Sequence, residues 1–132
     1  MKFKMNLVDL LAVFIGGFLG GFARFMVDQL LHDSVSLLGT TTVNIAGSFL
    51  LAFITYGLVI FFDVPNWLIV GLGTGFIGAF TTFSTLVLNL VQNVPGRPDY
   101  AMTIFALNLI LGLLAALAGY LVATSLGWGR KR

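Results

Sequence analysis

Four long apolar segments, separated by short polar breaks, make up most of the 132 residues. The breaks contain residues that end helices, such as Pro65 and the pair Pro95 and Pro98. Each segment has 20 or more mostly apolar residues: about 7–31, 37–62, 67–92 and 100–126. At about 1.5 Å of helix per residue, each can cross a bilayer core of about 30 Å. The pattern predicts an all-α integral membrane protein with four transmembrane helices in a single domain, residues 1–132.

The third segment differs from a simple membrane anchor. Between Gly71 and Thr85 it contains four glycines followed by four hydroxyl residues among aromatic residues. Glycine costs a helix about 1 kcal/mol relative to alanine, so this run is where the helix is expected to break. Broken helices are tolerated at membrane depth where the freed backbone groups face protein or an aqueous path. We therefore expect a permeation or binding site in this stretch.

Composition narrows the class of protein further. The chain is 58% hydrophobic and only 9% charged, with one histidine and no cysteine. A soluble domain needs about a quarter of its surface charged, which this chain cannot supply. Disulfides and cysteine nucleophiles are excluded, and a metal hydrolase is not expected without an HExxH motif. We predict that the chain is not an enzyme.

The basic residues predict an orientation in the membrane. With four spans, both ends of the chain lie on one side, where Lys2, Lys4, Arg130, Lys131 and Arg132 outnumber Arg24 and Arg97 on the other side. This bias favours cytoplasmic termini in a multi-pass protein of the cell membrane. The net charge of +2 therefore reflects topology, and we expect no nucleic acid as a partner.

Few polar residues lie deep in the spans. Asn44 can donate two N–H groups, either to a neighbouring helix or to a partly dehydrated anion, and both interpretations stay open. Arg24 is expected near the far interface, as a snorkelling anchor or as a vestibule residue. Gly16 and Gly20, like Gly17 and Gly21, have the spacing of close helix contacts. No span carries a deeply placed Asp, Glu or Lys, which disfavours a carrier coupled to protons through a carboxylate.

Three ordered motifs resemble those of the Fluc (CrcB) fluoride channels. Gly16-Gly17-Phe18-Leu19-Gly20-Gly21-Phe22-Ala23-Arg24-Phe25 resembles the family's GGxxGAxxRY motif. Gly39-Thr40-Thr41-Thr42-Val43-Asn44-Ile45-Ala46-Gly47 resembles GTLxVNxxG. Gly75-Phe76-Ile77-Gly78-Ala79-Phe80-Thr81-Thr82-Phe83-Ser84-Thr85 resembles GxxGGxTTFST. Together with the length and the four spans, the motifs cover nearly the whole chain.

The resemblance implies an antiparallel, dual-topology dimer in the lipid bilayer that exports fluoride passively through two pores. It implies a structural Na⁺ at the dimer centre, held by the backbone carbonyls of Gly78 and Thr81 in the break of the third helix. It also assigns Arg24 to a vestibule. The fluoride pore residues that it implies are Asn44, Phe83, Ser84, Thr85, Thr40 and Asn108.

The sequence departs from the family pattern at several of these positions. The family usually has a second phenylalanine where Leu86 stands, a second glycine at Ala79 and often a glutamate at Asn89. The polar track of the fourth helix corresponds to Ile104, Asn108 and Gly112, of which only Asn108 can donate a hydrogen bond. The charge bias also favours one orientation. An antiparallel heterodimer with a related short chain is therefore an alternative to a homodimer.

Two other functions remain open from the sequence. A small four-helix multidrug-type efflux transporter would need a membrane-embedded carboxylate and aromatic chamber walls. A non-conducting partner or anchor subunit would tolerate apolar substitutions at Asn44, Thr81 and Phe83.

Overall fold

The computed structural model describes residues 6–32, 37–61 and 63–128. All regular structure in this part of the chain is helical. In chain order the elements are α1 (Leu7–Leu30), α2 (Leu38–Phe61), α3 (Asn66–Val70), a π-helical segment (Gly71–Ile77), α4 (Gly78–Phe80), α5 (Phe83–Asn93) and α6 (Pro98–Trp128). The third span runs from Asn66 to Asn93 and includes α3 to α5. Four stretches of the described chain are long and apolar enough to cross a membrane, which confirms the predicted all-helical membrane fold.

The first and third spans begin at the same end of the bundle. Asn6 and Asp9 form a capping box at the start of α1, with the Asp9 N–H donating to Asn6 Oδ1 at 2.8 Å. The Asp9 carboxylate is only 2% exposed. It accepts hydrogen bonds from the Asn6 N–H at 3.3 Å and from Asn66 Nδ2 at 3.2 Å. The buried carboxylate therefore links the first turn of α1 to the first turn of α3.

Small residues bring the helix backbones into direct contact. A Cβ added to Gly16 would lie 2.1 Å from the Gly71 carbonyl oxygen, and one on Gly20 would lie 2.0 Å from that of Phe76. These distances explain why α1 packs so closely on the π-helical segment. In α1 the packing prediction thus holds for Gly16 and Gly20, whereas a Cβ on Gly21 would meet nothing within 4 Å.

The pair formed by α2 and α6 is the most extensive helix contact in the described chain. A Cβ added to Gly119 would lie 2.3 Å from the Phe49 carbonyl oxygen. Many large apolar side chains still point outward on all spans, including Phe14, which is 74% exposed. In a bilayer these side chains contact lipid or a second protein chain.

Some sequence predictions fall outside the described residues. The five terminal charges behind the predicted orientation, Lys2, Lys4, Arg130, Lys131 and Arg132, lie there, as does Phe62 at the predicted end of the second span.

Candidate functional site

The third span is interrupted at two residues. Thr81 (φ −86°, ψ 154°) and Thr82 (φ −155°, ψ 122°) are extended and separate α4 from α5. The Thr82 hydroxyl caps α5 by accepting a hydrogen bond from the Thr85 N–H at 3.2 Å. The predicted break in the third helix is therefore confirmed, but it follows the glycines. The glycine-rich run itself continues as the π-helical segment, a conformation frequent at functional sites.

The break removes the helical donors of two carbonyl groups. In a continuous helix the Thr82 N–H would donate to the Gly78 carbonyl and the Thr85 N–H to the Thr81 carbonyl. Here the Thr82 N–H donates to Asn44 Oδ1 at 2.8 Å, and the Thr85 N–H donates to the Thr82 hydroxyl. The carbonyl oxygens of Gly78 and Thr81 are consequently left without their usual intrahelical partners. Such oxygens are suitable ligands for a hard cation.

Asn44 bridges α2 to the break. Its Oδ1 accepts from the Thr82 N–H, and its Nδ2 donates to the Thr82 carbonyl at 3.0 Å and to Asn108 Oδ1 at 3.3 Å. Both N–H groups of the amide therefore point at protein acceptors. In the isolated chain Asn44 links helices, and an anion could take one N–H only by displacing an existing acceptor. The longer bond, to Asn108, is the weaker of the two.

Asn108 extends this network to the start of α2. The side chain is 8% exposed, and its Nδ2 contacts Thr41 Oγ1 at 2.9 Å and the Ile104 carbonyl at 3.0 Å. Thr41 in turn donates to the Leu37 carbonyl at 2.8 Å. We call Thr41, Asn108, Asn44 and Thr82 the amide column. It joins α2, α6 and the break through polar contacts.

A cleft of about 450 Å³ opens beside the amide column. Phe83 and Leu86, one turn apart on α5, differ in their exposure: Phe83 is 65% exposed and Leu86 is 2% exposed. Ser48 also lines the cleft and donates to the Asn44 carbonyl at 2.7 Å. The other lining residues are Asn44, Gly47, Leu51, Ile77, Gly78, Thr81, Thr82, Asn108 and Leu109. The cleft thus combines amides, hydroxyls and an aromatic ring.

The remaining predicted site residues do not line this cleft. Ser84 is exposed with its Oγ 3.3 Å from Thr82 Oγ1, and Thr85 Oγ1 accepts from the same hydroxyl at 3.0 Å. Thr40 is fully buried at the start of α2. Arg24 is half-buried on α1 and does not line the cleft.

Two residues of the site were missing from the predicted pore lining. Thr41 and Ser48 both contact the amide network, and with Asn44 they occupy positions i, i+3 and i+7 of α2. Residues at that spacing share one helix face, so the signal was present in the sequence. Because three threonines follow one another at 40–42, the sequence alone does not show which hydroxyl faces Asn108. The structure shows that it is Thr41.

The described residues contain no group of three His, Cys, Asp or Glu side chains that could hold a metal ion.

Comparison with known proteins agrees with the motifs. The family model described as CrcB-like protein, Camphor Resistance (CrcB), matches residues 11–120. The chain is 37% identical over 126 residues to the fluoride-specific ion channel FluC 2 of Ligilactobacillus salivarius, covering 94% of this chain and 92% of that protein. It is 36% identical over 130 residues to FluC 2 of Halalkalibacterium halodurans, covering 98% and 96%. A FluC protein of Thermosipho melanesiensis is 36% identical over 109 residues, covering 80% and 87%.

Proposed function

This chain belongs to the CrcB family, and we propose that it is a fluoride-selective ion channel that exports F⁻ passively from the cytoplasm and so lowers its toxicity. The observation that carries the proposal is the cleft at the break of the third span, where amides, hydroxyls and the ring of Phe83 meet. The relatives are named as channels, and the proposal involves no chemical step. Efflux of fluoride compared with chloride from proteoliposomes tests it.

Fluoride holds its water tightly, so a selective pore must replace that water with several hydrogen-bond donors without binding the ion too strongly. We assign this role to Asn44, Asn108, Thr40, Ser84 and Thr85, with Arg24 in a vestibule. The positive ring edge of Phe83 can add an attraction for the anion without donating a conventional hydrogen bond. Asn44 can release its longer bond to Asn108 and offer that N–H to the ion.

A structural Na⁺ fits the same break. The carbonyl oxygens of Gly78 and Thr81 have lost their helical donors, because the N–H groups of Thr82 and Thr85 donate elsewhere. The proposed ion would be held at the centre of a dimer, where a second chain adds equivalent oxygens. It would neutralise the exposed carbonyl dipoles and hold the two breaks together.

Phe83 supports an assembly of two antiparallel chains. Its side chain is 65% exposed in a chain whose neighbouring Leu86 is buried, so it is positioned to contact something outside its own fold. We propose that this is the second chain and that each pore combines groups from both. The partner is either a second copy or a related chain inserted in the opposite direction.

One observation favours the heterodimer. Leu86 and Ile104, which replace an aromatic and a polar residue of the family pattern, pack together in one buried apolar cluster. This chain therefore contributes few donors to that side of a pore. A related partner that carries the usual residues would supply the missing groups, and this chain would then act mainly as its structural half.

The direction of transport follows from acid–base chemistry. HF enters from acidic surroundings as a neutral molecule and ionises in the cytoplasm, where the anion is trapped. An inside-negative potential then drives the anion outward by about 2.3 kcal/mol per charge per 100 mV. Passive flow through a pore is sufficient for export. If the chain inserts in a single orientation, its basic termini are assigned to the cytoplasmic side.

A further inference from the structure

Three buried apolar residues meet at one end of the amide column. Leu37, Leu86 and Ile104 form a single cluster and are 1%, 2% and 3% exposed. They come from different places: the residue before α2, the first turn of α5 and the second turn of α6. We call these three residues the apolar plug. It lies where α5, α6 and the start of α2 meet, next to polar residues of the site.

Each plug residue borders the site directly. The Leu37 carbonyl accepts from Thr41 Oγ1 at 2.8 Å, and the Ile104 carbonyl accepts from Asn108 Nδ2 at 3.0 Å. Leu86 lines the cleft itself. The plug is therefore in direct contact with the amide column and the cleft.

The outer side of the plug leads to an exposed cation. Tyr100 packs against the plug, and the guanidinium carbon of Arg97 lies 4.8 Å from the centre of the Tyr100 ring. Arg97 Nη2 also donates to Asn93 Oδ1, and Arg97 is exposed. From the turn between α5 and α6 inward, the order is thus a cation, an aromatic ring, the apolar plug and the amide column.

The backbone of Leu37 is fixed in an uncommon conformation. Its φ angle is 58°, in the left-handed region that residues with a side chain rarely adopt. Its carbonyl accepts from both the Thr41 hydroxyl and the Thr41 N–H, the latter at 3.4 Å. The amide column therefore holds the Leu37 backbone beside the plug.

We propose that Leu37, Leu86 and Ile104 form the barrier that limits ion passage through the half-pore built by this chain, by sealing the Arg97 end of the amide column against water. The inference rests on the proposed function. An apolar constriction gates an ion by excluding the water that the ion carries, and these side chains offer no donor in exchange. Leu86 stands where the family usually has phenylalanine, and Ile104 stands on its polar track. On this proposal both replacements make this half-pore less permeable to ions.

The seal can be tested without relying on transport, because the chain has no cysteine. Thr41→Cys places a thiol beside the plug, where the S–H can still donate weakly to the Leu37 carbonyl and the sulfur can still accept from Asn108. Gly96→Cys places one in open space on the turn next to Arg97, since a Cβ at Gly96 meets nothing within 4 Å. The full-length protein, assembled as it purifies, is treated with a charged methanethiosulfonate reagent. With the plug intact, we expect Thr41→Cys to react far more slowly than Gly96→Cys.

Opening the plug should then expose the inner thiol. Leu86→Ala and Ile104→Ala, each combined separately with Thr41→Cys, should raise its labelling rate about tenfold or more, as expected when a barrier to access is removed. The control is Leu88→Ala, on the outward face of the same helix as Leu86, which should not change the rate. Because the two opening variants are made independently, a failure of one to assemble leaves the other as the test. Equal reactivity of Thr41→Cys and Gly96→Cys with the plug intact, or no increase in an assembled opening variant, would overturn the barrier.

Fluoride efflux separates this inference from the proposed function. If the chain conducts fluoride, alone or with a partner, Leu86→Ala should increase the rate and Leu88→Ala should not. Unchanged efflux in Leu86→Ala would contradict the barrier while leaving the channel intact. If no preparation conducts fluoride, the proposed function fails, and the labelling ratio still decides whether the plug seals the column.

Discussion

The Asn44 side chain and the Thr82 backbone are joined by two opposed hydrogen bonds. Asn44 Oδ1 accepts from the Thr82 N–H at 2.8 Å, and Asn44 Nδ2 donates to the Thr82 carbonyl at 3.0 Å. The amide of asparagine carries an acceptor oxygen and a donor NH₂ group side by side, so it can bond both the N–H and the carbonyl of one backbone residue. Asn44 therefore supplies the hydrogen-bond partners that the Thr82 backbone lacks at the break. This allows the third span to be interrupted inside a membrane, where water cannot supply them.

Asn44→Asp should destabilise the break and abolish fluoride transport. A carboxylate still accepts from the Thr82 N–H, but it cannot donate to the Thr82 carbonyl or to Asn108, and it repels an anion. Losing a buried donor costs about 1–3 kcal/mol, so thermal unfolding in detergent should begin at a lower temperature. Ser125→Ala is the control, because the Ser125 hydroxyl donates to the Val122 carbonyl of its own helix and does not line the cleft. Unfolding and efflux unchanged in Asn44→Asp would rule out this role.

Phe83→Ile should remove fluoride efflux while leaving the fold of the chain intact. The ring is 65% exposed, so its own chain gains little from packing it, whereas isoleucine has no positive ring edge for an anion. Phe14→Ile is the matched control, since Phe14 is similarly exposed but lies on α1 and outside the cleft. The measurement is efflux per assembled complex. Equal loss of efflux in both variants would show a general effect of removing an outward phenylalanine.

Gly20→Ala should destabilise the bundle, and Gly21→Ala should not. The added Cβ at Gly20 would lie 2.0 Å from the Phe76 carbonyl oxygen, and this backbone atom cannot move aside without shifting the π-helical segment. Overpacking of this kind costs about 1–3 kcal/mol. At Gly21 a Cβ meets nothing, and alanine favours the helix by about 1 kcal/mol. The measurement is the thermal unfolding midpoint of each variant. Similar midpoints would show that a Cβ at Gly20 can be accommodated between α1 and the π-helical segment.

Removal of Na⁺ should destabilise the assembled protein. Replacing Na⁺ with choline at constant ionic strength leaves the Gly78 and Thr81 carbonyls without their proposed cation. A ligand at 100 times its Kd stabilises the state that binds it by about 2.7 kcal/mol, so the unfolding midpoint should rise with Na⁺ and then saturate. Lithium and potassium at the same concentration test selectivity for ion size. A midpoint that does not depend on Na⁺ would remove the structural ion from the account.

Much of the fold could be predicted from the sequence, because membrane crossing imposes simple demands on length and polarity. Pro65, for example, caps α3, and Pro98 begins α6, as helix-breaking residues in the polar breaks predict. The break was located less well. The density of glycines predicted a helix break within the run from Gly71 to Thr85. The glycines themselves pack closely against α1 and stay helical. The chain opens instead at Thr81 and Thr82, where Asn44 supplies an alternative partner from another helix.

The burial of Asp9 could not be predicted from the sequence. The structure buries it against Asn6 and Asn66. The partner Asn66 is 57 residues away in the chain, and only the packing of the first and third spans brings the two together. The same reason applies to Leu86 and Ile104, whose contact depends on the pairing of α5 with α6.

Selective fluoride conduction is tested most directly by anion efflux from liposomes that contain the purified chain, alone and together with any related partner chain. Fluoride should leave the liposomes rapidly in at least one of these preparations, while chloride stays inside. If the chain alone conducts at the full rate as a homodimer, the heterodimer is excluded and the channel stands. Equal efflux of fluoride and chloride would contradict selective fluoride conduction. So would the absence of any efflux from both preparations.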